Sequence, residues 1–351
     1  MSLPPQRIRV LIVDDSAFVR KIVRQILERD PGIEVVGAAR DGEEALLLTG
    51  ELKPAVITCD LTMPRIGGVE FVRRQMAIDP VPILLLTASP QDADSVLEAL
   101  AAGAIDVVQK PTALATQVLL EIQTELTEKV RTAAGTKPSR PMAAQAKGET
   151  STHVAVSEQQ PLKRDVVVLG VSTGGPQALR KLMPQFTANF PVPIVFVLHM
   201  PVGYTALFAE KLAEICQLKV REAKDADLIA PGLALLAPAG RHLTFKRLAS
   251  GSVAIQLSIT PLGKPHRPSV DVLFQSAAET FGERVLGVVM TGMGDDGKLG
   301  AGWIKSAGGT VLTESEASCV IYGMPRSIVE AGLSDGAIPL DEMAQAITLR
   351  L

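Results

Sequence analysis

The sequence is poor in aromatic residues, cysteine and histidine, and each shortage excludes something. Aromatic side chains make up 3% of the 351 residues, so the cores must consist mainly of aliphatic side chains. Three scattered cysteines are too few for a disulfide framework or a zinc site, which favours a reducing cytoplasm. Because there are only four histidines, a reaction that needs an imidazole base has only four candidates for it.

A strong charge of one sign and long apolar runs are also absent. The formal net charge is -3, which provides no basic field for nucleic acid and no polybasic signal for an anionic membrane. Apolar runs such as 193–198 are far shorter than the roughly 20 residues of a membrane span, and residues 1–6 do not resemble a signal sequence. We therefore expect a cytoplasmic protein without a nucleic-acid partner and without direct membrane insertion.

Apolar residues make up 47% of the chain, enough for two or three globular domains of ordinary size. In residues 8–128, short runs rich in Val, Ile and Leu alternate with amphipathic stretches of helical spacing. The runs lie at 8–13, 33–37, 55–58, 83–87 and 105–109. Such runs are typical of buried parallel strands, so residues 1–129 are predicted to form a doubly wound α/β domain with five parallel strands.

The alternation stops between residues 130 and 164. This stretch has no aromatic residue and is rich in Ala, Ser, Thr, Gln, Gly and Pro, which predicts a flexible linker.

Further strands are predicted at 166–169, 194–198, 233–237, 253–257, 285–290 and 310–313. Residues 165–351 are therefore predicted to form a second α/β domain with a mixed, mostly parallel sheet and a hairpin near residues 243–259.

Charged and polar residues stand where the strands of the first domain end. Asp14 and Asp15 follow the first strand, Asp60 follows the third, Thr87 ends the fourth and Lys110 follows the fifth. In an open parallel sheet these ends share one edge, where ligands bind. Three carboxylates converging there repel one another unless a hard cation such as Mg²⁺ lies between them. This favours Asp60 as nucleophile for a phosphoryl group, with Lys110 supplying charge and Thr87 a hydroxyl donor.

Residues 8–128 resemble the receiver domain of bacterial response regulators. The resemblance rests on Val-Asp-Asp-Ser, Asp-Leu-Thr-Met-Pro-Arg, Leu-Thr-Ala-Ser and Gln-Lys-Pro. It implies a flavodoxin-like fold, a sensor histidine kinase as phosphodonor, phosphorylation of Asp60, and Mg²⁺ bound by Asp14, Asp15 and Asp60. The sequence departs from the family where Gly67-Gly68 replaces the frequent Asp-Gly and where Val107 replaces an aromatic residue linked to activation. The activation geometry is left open by these differences.

A glycine-rich turn, 170–175, follows the first predicted strand of the second domain and opens a predicted helix. Its Gly-x-Ser-x-Gly spacing matches a nucleophile elbow, in which glycines permit a sharp turn that exposes the hydroxyl of Ser172. A structural or phosphate-cradling glycine turn is the alternative. Dinucleotide binding is disfavoured because the glycine pattern is wrong and the next strand is followed by His199 rather than by an acidic residue.

Among the four histidines, His199 has the best position for a general base. It directly follows strand 194–198, so adjacent parallel strands would bring its imidazole to the sheet edge that carries Ser172. The other three lie in less suitable places: His153 in the linker, His242 before a predicted strand, and His266 in a loop.

A carboxylate that orients the base is expected in the glycine-rich loop after strand 285–290. The loop contains Asp295 and Asp296, which spacing alone does not separate. Gly292 and Gly294 flank Met293, which suggests a backbone amide that approaches the oxyanion.

Residues 165–345 resemble the catalytic domain of chemotaxis protein-glutamate methylesterases, the CheB family. The matching stretches are Gly-Val-Ser-Thr-Gly-Gly-Pro, Leu-His-Met-Pro, Arg-Pro-Ser-Val-Asp-Val-Leu-Phe, Met-Thr-Gly-Met-Gly-Asp-Asp-Gly and Glu-Ala-Ser-Cys-Val-Ile-Tyr-Gly-Met-Pro. The resemblance implies a triad of Ser172, His199 and Asp296, with Thr173 near the nucleophile and Met293 at the oxyanion. One matching motif also contains three residues without a physical role: Arg267, Ser269 and Asp271.

The resemblance implies a phosphorylation-activated serine hydrolase. Its substrates would be glutamyl methyl esters, which it demethylates with release of methanol, and glutamines, which it deamidates, on methyl-accepting chemoreceptors. No cofactor is implied for the hydrolase chemistry. The alternative is a response regulator with a non-hydrolytic nucleotide-binding output domain, and a DNA-binding regulator has neither a helix-turn-helix signature nor a basic face. We hypothesise that the unphosphorylated receiver covers the active-site face.

Overall fold

The computed structural model describes residues 7–88, 90–110, 116–136 and 163–351, which belong to two units. Most of the predicted linker, 130–164, lies outside the described residues. The first residues of the predicted linker belong to the last helix of the N-terminal unit. This helix ends at Ala134, beyond the domain boundary predicted at residue 129. Within the described part of the chain, no helix is both long and apolar enough to cross a membrane.

The N-terminal unit alternates parallel strands with helices. The strands are β1 Ile8–Val13, β2 Ile33–Ala39, β3 Val56–Asp60, β4 Ile83–Thr87 and β5 Asp106–Gln109. The helices are α1 Ala17–Leu27, α2 Gly42–Leu52, α3 Gly68–Ile78, α4 Ala93–Ala101 and α5 Thr116–Ala134. Every strand pair is parallel and the order is β2-β1-β3-β4-β5. The predicted five-stranded, doubly wound fold is confirmed.

Side-chain caps fix the helix starts at the carboxyl edge of this sheet. The hydroxyl of Ser16 accepts a hydrogen bond from the Val19 amide before α1. The buried carboxylate of Asp41 accepts from the amides of Glu43 and Glu44 before α2. Each such cap is worth about 1 kcal/mol, and together they hold the loops that follow β1 and β2.

The C-terminal unit has a larger parallel sheet. Its strands are β6 Val166–Val171, β7 Ile194–Leu198, β8 Lys219–Glu222, β9 Leu233–Leu236, β10 His242–Arg247, β11 Val253–Ser258, β12 Val285–Val289, β13 Thr310–Glu314 and β14 Ala337–Ile338. Its helices are α6 Gly175–Leu182, α7 Thr205–Ala213, α8 Val270–Phe281, α9 Lys298–Ser306, α10 Met324–Glu330 and α11 Leu340–Thr348. Seven strands are joined by parallel pairs in the order β14-β13-β12-β6-β7-β9-β8.

The predicted α/β fold with a mostly parallel sheet and a hairpin is confirmed. The antiparallel pair β10-β11 forms a separate two-stranded sheet, so the main sheet is parallel and not mixed among the described strands. The hairpin buries Phe245, Val253 and Ile255 in the same apolar core as α8. The Phe245 amide also donates to the hydroxyl of Ser276 on that helix at 2.8 Å. The hairpin is therefore packed against α8 instead of extending the parallel sheet.

His242, the first residue of β10, is a fully buried histidine with a pH-dependent effect on stability. Burial lowers its pKa below the ordinary value of about 6.5, although Nε2 also bonds to the Pro261 carbonyl at 3.1 Å. As the pH falls through 6.5, the unfolded chain therefore takes up a proton more readily than the folded chain does. The contribution of His242 to stability is present above that pH and is lost as the pH falls below it.

We expect the free energy of unfolding of the C-terminal unit to fall less between pH 7.5 and pH 5.5 in His242→Gln than in the wild type. The difference should develop below about pH 6.5, with about 1.4 kcal/mol per pH unit as its upper limit. Urea unfolding followed by the fluorescence of Trp303, the single tryptophan, measures this unit in the full chain. Equal pH slopes in the two proteins would contradict the assignment to His242.

Candidate functional sites

Three neighbouring strands of the seven-stranded sheet, in the order β12-β6-β7, bring three predicted residues to one edge. Ser172 directly follows β6, His199 directly follows β7, and Asp296 lies in the loop between β12 and α9. Main-chain bonds connect these ends: the Ser172 amide donates to the Thr291 carbonyl at 3.0 Å, and the His199 amide donates to the Val171 carbonyl at 3.2 Å. The topology thus places the three candidates as the sequence predicted.

The turn at Ser172 depends on two glycines at close quarters. Gly174 has a φ of +78°, and a Cβ atom there would lie 2.6 Å from Cβ of Val320. At Gly292 in the facing loop, a Cβ atom would lie 2.9 Å from Cβ of Ser172. Any other residue would therefore push the two loops apart. Ser172 itself is half-buried, at the start of the turn that leads into α6.

His199 and Asp296 form a hydrogen-bonded pair. His199 Nε2 lies 2.9 Å from Asp296 Oδ2, and both side chains are about one-tenth exposed. The carboxylate accepts three further bonds, from the Ser269 hydroxyl at 2.8 Å and from the amides of Val270 at 2.8 Å and Asp271 at 3.0 Å. Burial opposes the charge of Asp296, but the bond from His199 and the backbone donors hold its pKa well below its ordinary value.

This pairing determines which nitrogen of His199 is available as a base. Nε2 donates to the ionised Asp296, so Nδ1 carries the lone pair. Nδ1 is buried and has no hydrogen-bond partner among the residues that the structure describes. An unpaired basic nitrogen beside the Ser172 turn can accept a hydroxyl proton.

The structure distinguishes the two aspartates that spacing left unresolved. Asp295 is exposed, and its carbonyl accepts the Lys298 amide at 3.0 Å at the start of α9. Asp296 is the one that bonds to His199. Asp296 is therefore the carboxylate that lies at the N-terminus of α8, where it accepts the first amides of the helix.

The motif without a sequence-based role now has a structural one. Ser269 donates its hydroxyl to Asp296, and the Oδ1 atom of Asp271 accepts the amides of Gly297 and Gly300, both at 2.9 Å. These bonds tie the start of α8 to the loop that carries Asp296. Arg267 contributes a carbonyl that accepts the Gly240 amide at 2.9 Å. The motif itself marked Ser269 and Asp271 in the sequence, but their hydrogen-bond partners lie in a loop that is distant along the chain.

Thr173 and Met293 lie beside the nucleophile turn. Thr173 is buried, and its carbonyl accepts the Thr291 hydroxyl at 2.9 Å. Met293 is half-buried and directly follows Gly292, the residue against Ser172. Their proximity to Ser172 agrees with the predicted locations, while their roles in catalysis stay predictions.

Sequence reasoning missed two residues near this site. Glu314, at the carboxyl end of β13, is fully buried and accepts the Thr291 amide at 2.9 Å; burial raises its pKa. Its position at the end of a predicted strand could have marked Glu314 as a site residue. His266 stacks on the imidazole of His199 with ring centroids 4.2 Å apart. Its loop position had favoured a structural interpretation.

The carboxyl edge of the N-terminal sheet holds a second cluster. The ammonium group of Lys110 lies 2.7 Å from Asp14 Oδ2 and 2.9 Å from Asp60 Oδ1. None of the three side chains is more than 11% exposed. Burial raises the pKa of Asp60, and the neighbouring Asp14 adds to this while Lys110 opposes it. Burial also works against the charge of Lys110, but the two carboxylates keep its pKa above the ordinary value.

The donors of this cluster fit a magnesium ion. Asp14, Asp15 and Asp60 each offer one carboxylate oxygen, and these atoms lie within 4.8 Å of one another. Asp15 is exposed whereas Asp14 and Asp60 are buried, so a bound cation would have both protein ligands and water. An all-oxygen donor set with carboxylates is what Mg²⁺ prefers.

The predicted support residues also reach this edge. Thr87 is buried at the end of β4, and its carbonyl accepts the Lys110 amide at 2.6 Å. Its hydroxyl donates to Asp92 at 3.4 Å. Val107 is buried in β5, where it pairs in register with Leu85. The five residues predicted from the strand ends thus share one edge of the sheet, while the part that Val107 plays in activation stays open.

Two family models match this chain in sequence. The response regulator receiver domain matches residues 10–121, and the CheB methylesterase matches residues 167–347, more than half of the chain. The chain belongs to the CheB methylesterase family.

Its relatives share both parts of the CheB chain. A protein-glutamate methylesterase/protein-glutamine glutaminase 5 of Myxococcus xanthus is 47% identical over 338 residues, covering 96% of each chain. A protein-glutamate methylesterase/protein-glutamine glutaminase of Halalkalibacterium halodurans is 39% identical over 342 residues, covering 97% of each. The crystal structure of the Thermotoga maritima CheB methylesterase catalytic domain is 38% identical, with a TM-score of 0.52 over 54% of this chain and 99% of that one. The alternative of a nucleotide-binding output domain is not supported by these matches.

Proposed function

We propose that this CheB-family chain is a phosphorylation-activated hydrolase that demethylates glutamyl methyl esters and deamidates glutamines on methyl-accepting chemoreceptors in the cytoplasm. The observation that carries the proposal is the His199–Asp296 pair, which leaves His199 Nδ1 unpartnered at the sheet edge where the Ser172 turn lies. The two relatives above are named protein-glutamate methylesterase/protein-glutamine glutaminase, which supports the substrate class.

The proposed reaction is acyl transfer through Ser172. His199 Nδ1 takes the hydroxyl proton as the Ser172 oxygen attacks the ester carbonyl, and it then gives the proton to the departing methanol. Asp296 keeps Nε2 protonated and stabilises the imidazolium that forms. The Met293 amide would donate to the developing oxyanion, and such a donor is typically worth about 10²–10³ in rate. Water then releases the glutamate from Ser172, with His199 again acting as base.

The receiver would control this reaction through Asp60. A sensor histidine kinase would supply the phosphoryl group, which Asp60 accepts as an acyl phosphate while Lys110 and Thr87 bind its oxygens. Asp14, Asp15 and Asp60 would hold Mg²⁺, which supplies positive charge to offset the repulsion between carboxylate and phosphoryl oxygens. Phosphorylation would favour an arrangement in which the hydrolase is more active.

The direct test is methanol release from methylated candidate receptors, with and without a phosphodonor. Addition of Mg²⁺ and acetyl phosphate should raise the rate of the wild type by about 5–150-fold, the usual range for coupling between two sites. No methanol from any receptor, with phosphorylation of the receiver verified, would contradict the proposed activity.

Asp60→Asn is expected to remove the response to acetyl phosphate completely, because an amide oxygen cannot form the acyl phosphate. Phosphoryl uptake, measured with a labelled kinase or by intact mass, should fall to background in this variant. Asp79→Asn is the matched control, since Asp79 is an exposed acid that follows α3 in the same unit. Activation that survives in Asp60→Asn would place the acceptor elsewhere.

A further inference from the structure

One exposed histidine covers a face of the buried imidazole at the hydrolase site. His266 lies in the loop 259–269 between β11 and α8, and its ring stacks on that of His199 with centroids 4.2 Å apart and planes inclined by 22°. The side chain of His199 is 9% exposed, whereas His266 is exposed. The outer ring therefore lies between the inner ring and solvent on this face.

The loop that carries His266 is fixed at several points. The contacts are His242 Nε2 to the Pro261 carbonyl at 3.1 Å, the Gly240 amide to the Arg267 carbonyl at 2.9 Å, and Lys264 Nζ to Asp271 Oδ2 at 3.0 Å. They lie on both sides of His266 in sequence and tie the loop to two other elements, β10 and α8. These contacts hold the loop from which His266 stacks on His199.

We propose that His266 is a positioning residue for His199: when neutral it fixes the plane of the base and stabilises its imidazolium, and when protonated it opposes that charge. This inference rests on the proposed function, in which His199 takes the proton of Ser172.

The positioning effect follows from how His199 is held. Asp296 bonds to one edge of the ring, and a single edge contact leaves rotation about that contact unrestrained. A ring stacked on the face restrains this rotation and so directs Nδ1 toward one place. Small misplacements of a catalytic group are costly, about 10²-fold for roughly 1 Å.

The electrostatic effect depends on the charge of His266. A cation within about 6 Å of an aromatic face is attracted to it, so a neutral His266 favours the imidazolium form of His199. A protonated His266 instead places a like charge 4.2 Å away, centroid to centroid. Histidine changes charge between pH 5 and pH 8, so the effect should reverse within the range where activity is measured.

Other charged groups lie near the loop of His266. Lys264 and Arg267 belong to this loop, and Lys264 pairs with Asp271 on α8. Lys264, Arg267 and Asp296 also act electrostatically on the buried His242 of β10. Each of the two acids is already engaged, Asp296 with His199 and Asp271 with Lys264. His266 is the titratable ring in face-to-face contact with the base.

The test compares His266→Phe and His266→Ala with the wild type as full chains, in methanol release from methylated receptor between pH 5.5 and pH 8.5. We expect His266→Ala to lower kcat about tenfold at pH 8, because the stacking is lost. His266→Phe keeps an aromatic face and should stay within about threefold of the wild type there. His153→Phe, in the predicted linker, is the matched control for loss of a histidine.

The decisive readout is the acid side of the pH profile of kcat/KM. By the proposal a protonated His266 opposes the charge of the base, so the wild-type logarithm should depart from a single-proton dependence; in His266→Phe it should follow a slope of 1. The fluorescence of Trp303 verifies folding at each pH. Wild-type activity in His266→Ala, or a wild-type slope in His266→Phe, would each overturn the proposal. A wild type that releases no methanol at any pH would instead overturn the proposed function.

Discussion

Ser172→Ala is expected to reduce methanol release by about 10⁴–10⁶-fold, the loss seen when a serine nucleophile is removed from a hydrogen-bonded triad. In the proposed mechanism His199 Nδ1 would have no hydroxyl to deprotonate without the Ser172 oxygen, and the remaining groups would only bind the substrate. The measurement is single-turnover methanol release from methylated receptor, with the receiver phosphorylated in both proteins.

The controls for this experiment come from the same chain. Ser252→Ala changes an exposed serine in the turn of the β10-β11 hairpin and should leave the rate unchanged. A serine-directed phosphonate should add its mass to Ser172 in the wild type and not in Ser172→Ala. The fluorescence of Trp303, which lies on α9 in the same unit as Ser172, should be unchanged in the variant, which separates loss of the nucleophile from loss of folding. Substantial methanol release by Ser172→Ala would move the nucleophile to another residue.

The locations of most site residues could be predicted from the sequence because parallel strands end at a common edge. Ser172 and His199 each follow an apolar run, and Asp60 ends another, so their neighbourhood depends only on strand order. The structure has the required orders, β12-β6-β7 and β1-β3-β4. The positions of site residues at strand ends could therefore be predicted from the apolar runs in the sequence.

What could not be predicted depends on loops that meet far along the chain. Asp296 is distinguished from Asp295 by donors at Ser269, Val270 and Asp271, and no periodicity relates these two stretches. The contact between His266 and His199 is of the same kind, since it depends on how the loop after β11 folds back.

The errors in the fold prediction have related physical causes. The main sheet was expected to be mixed, but the antiparallel hairpin packs its apolar face, including Phe245, against α8 and forms a sheet of its own. β8 and β14 lie at the sheet edges and were not predicted. β8 has one apolar residue in Lys-Val-Arg-Glu, and β14 is only two residues long. Edge strands with one buried residue or none give only a weak alternation signal.

Asp296→Asn should lower kcat by about 10³–10⁴-fold, whereas Asp295→Asn should stay within about threefold of the wild type. An asparagine at 296 can present its NH₂ group to His199, which favours the tautomer with the proton on Nδ1, where it blocks acceptance of the Ser172 proton. It also removes the negative charge that stabilises the imidazolium. The Asp295 side chain is exposed, and its contact with the start of α9 uses only its main-chain carbonyl, which asparagine keeps.

The pair of variants also separates catalysis from stability. Asp296 accepts two amides at the start of α8, so its replacement should cost about 1 kcal/mol of unfolding free energy, measured by Trp303 fluorescence in urea. That loss leaves the protein folded in native buffer, so it cannot account for a 10³-fold fall in kcat. Because the hydrogen bonds keep the pKa of Asp296 well below its ordinary value, the wild-type carboxylate is ionised throughout the working pH range, and its own titration should not appear in the pH profile of kcat. Equal and small losses in the two variants would exclude Asp296 as the residue that orients His199.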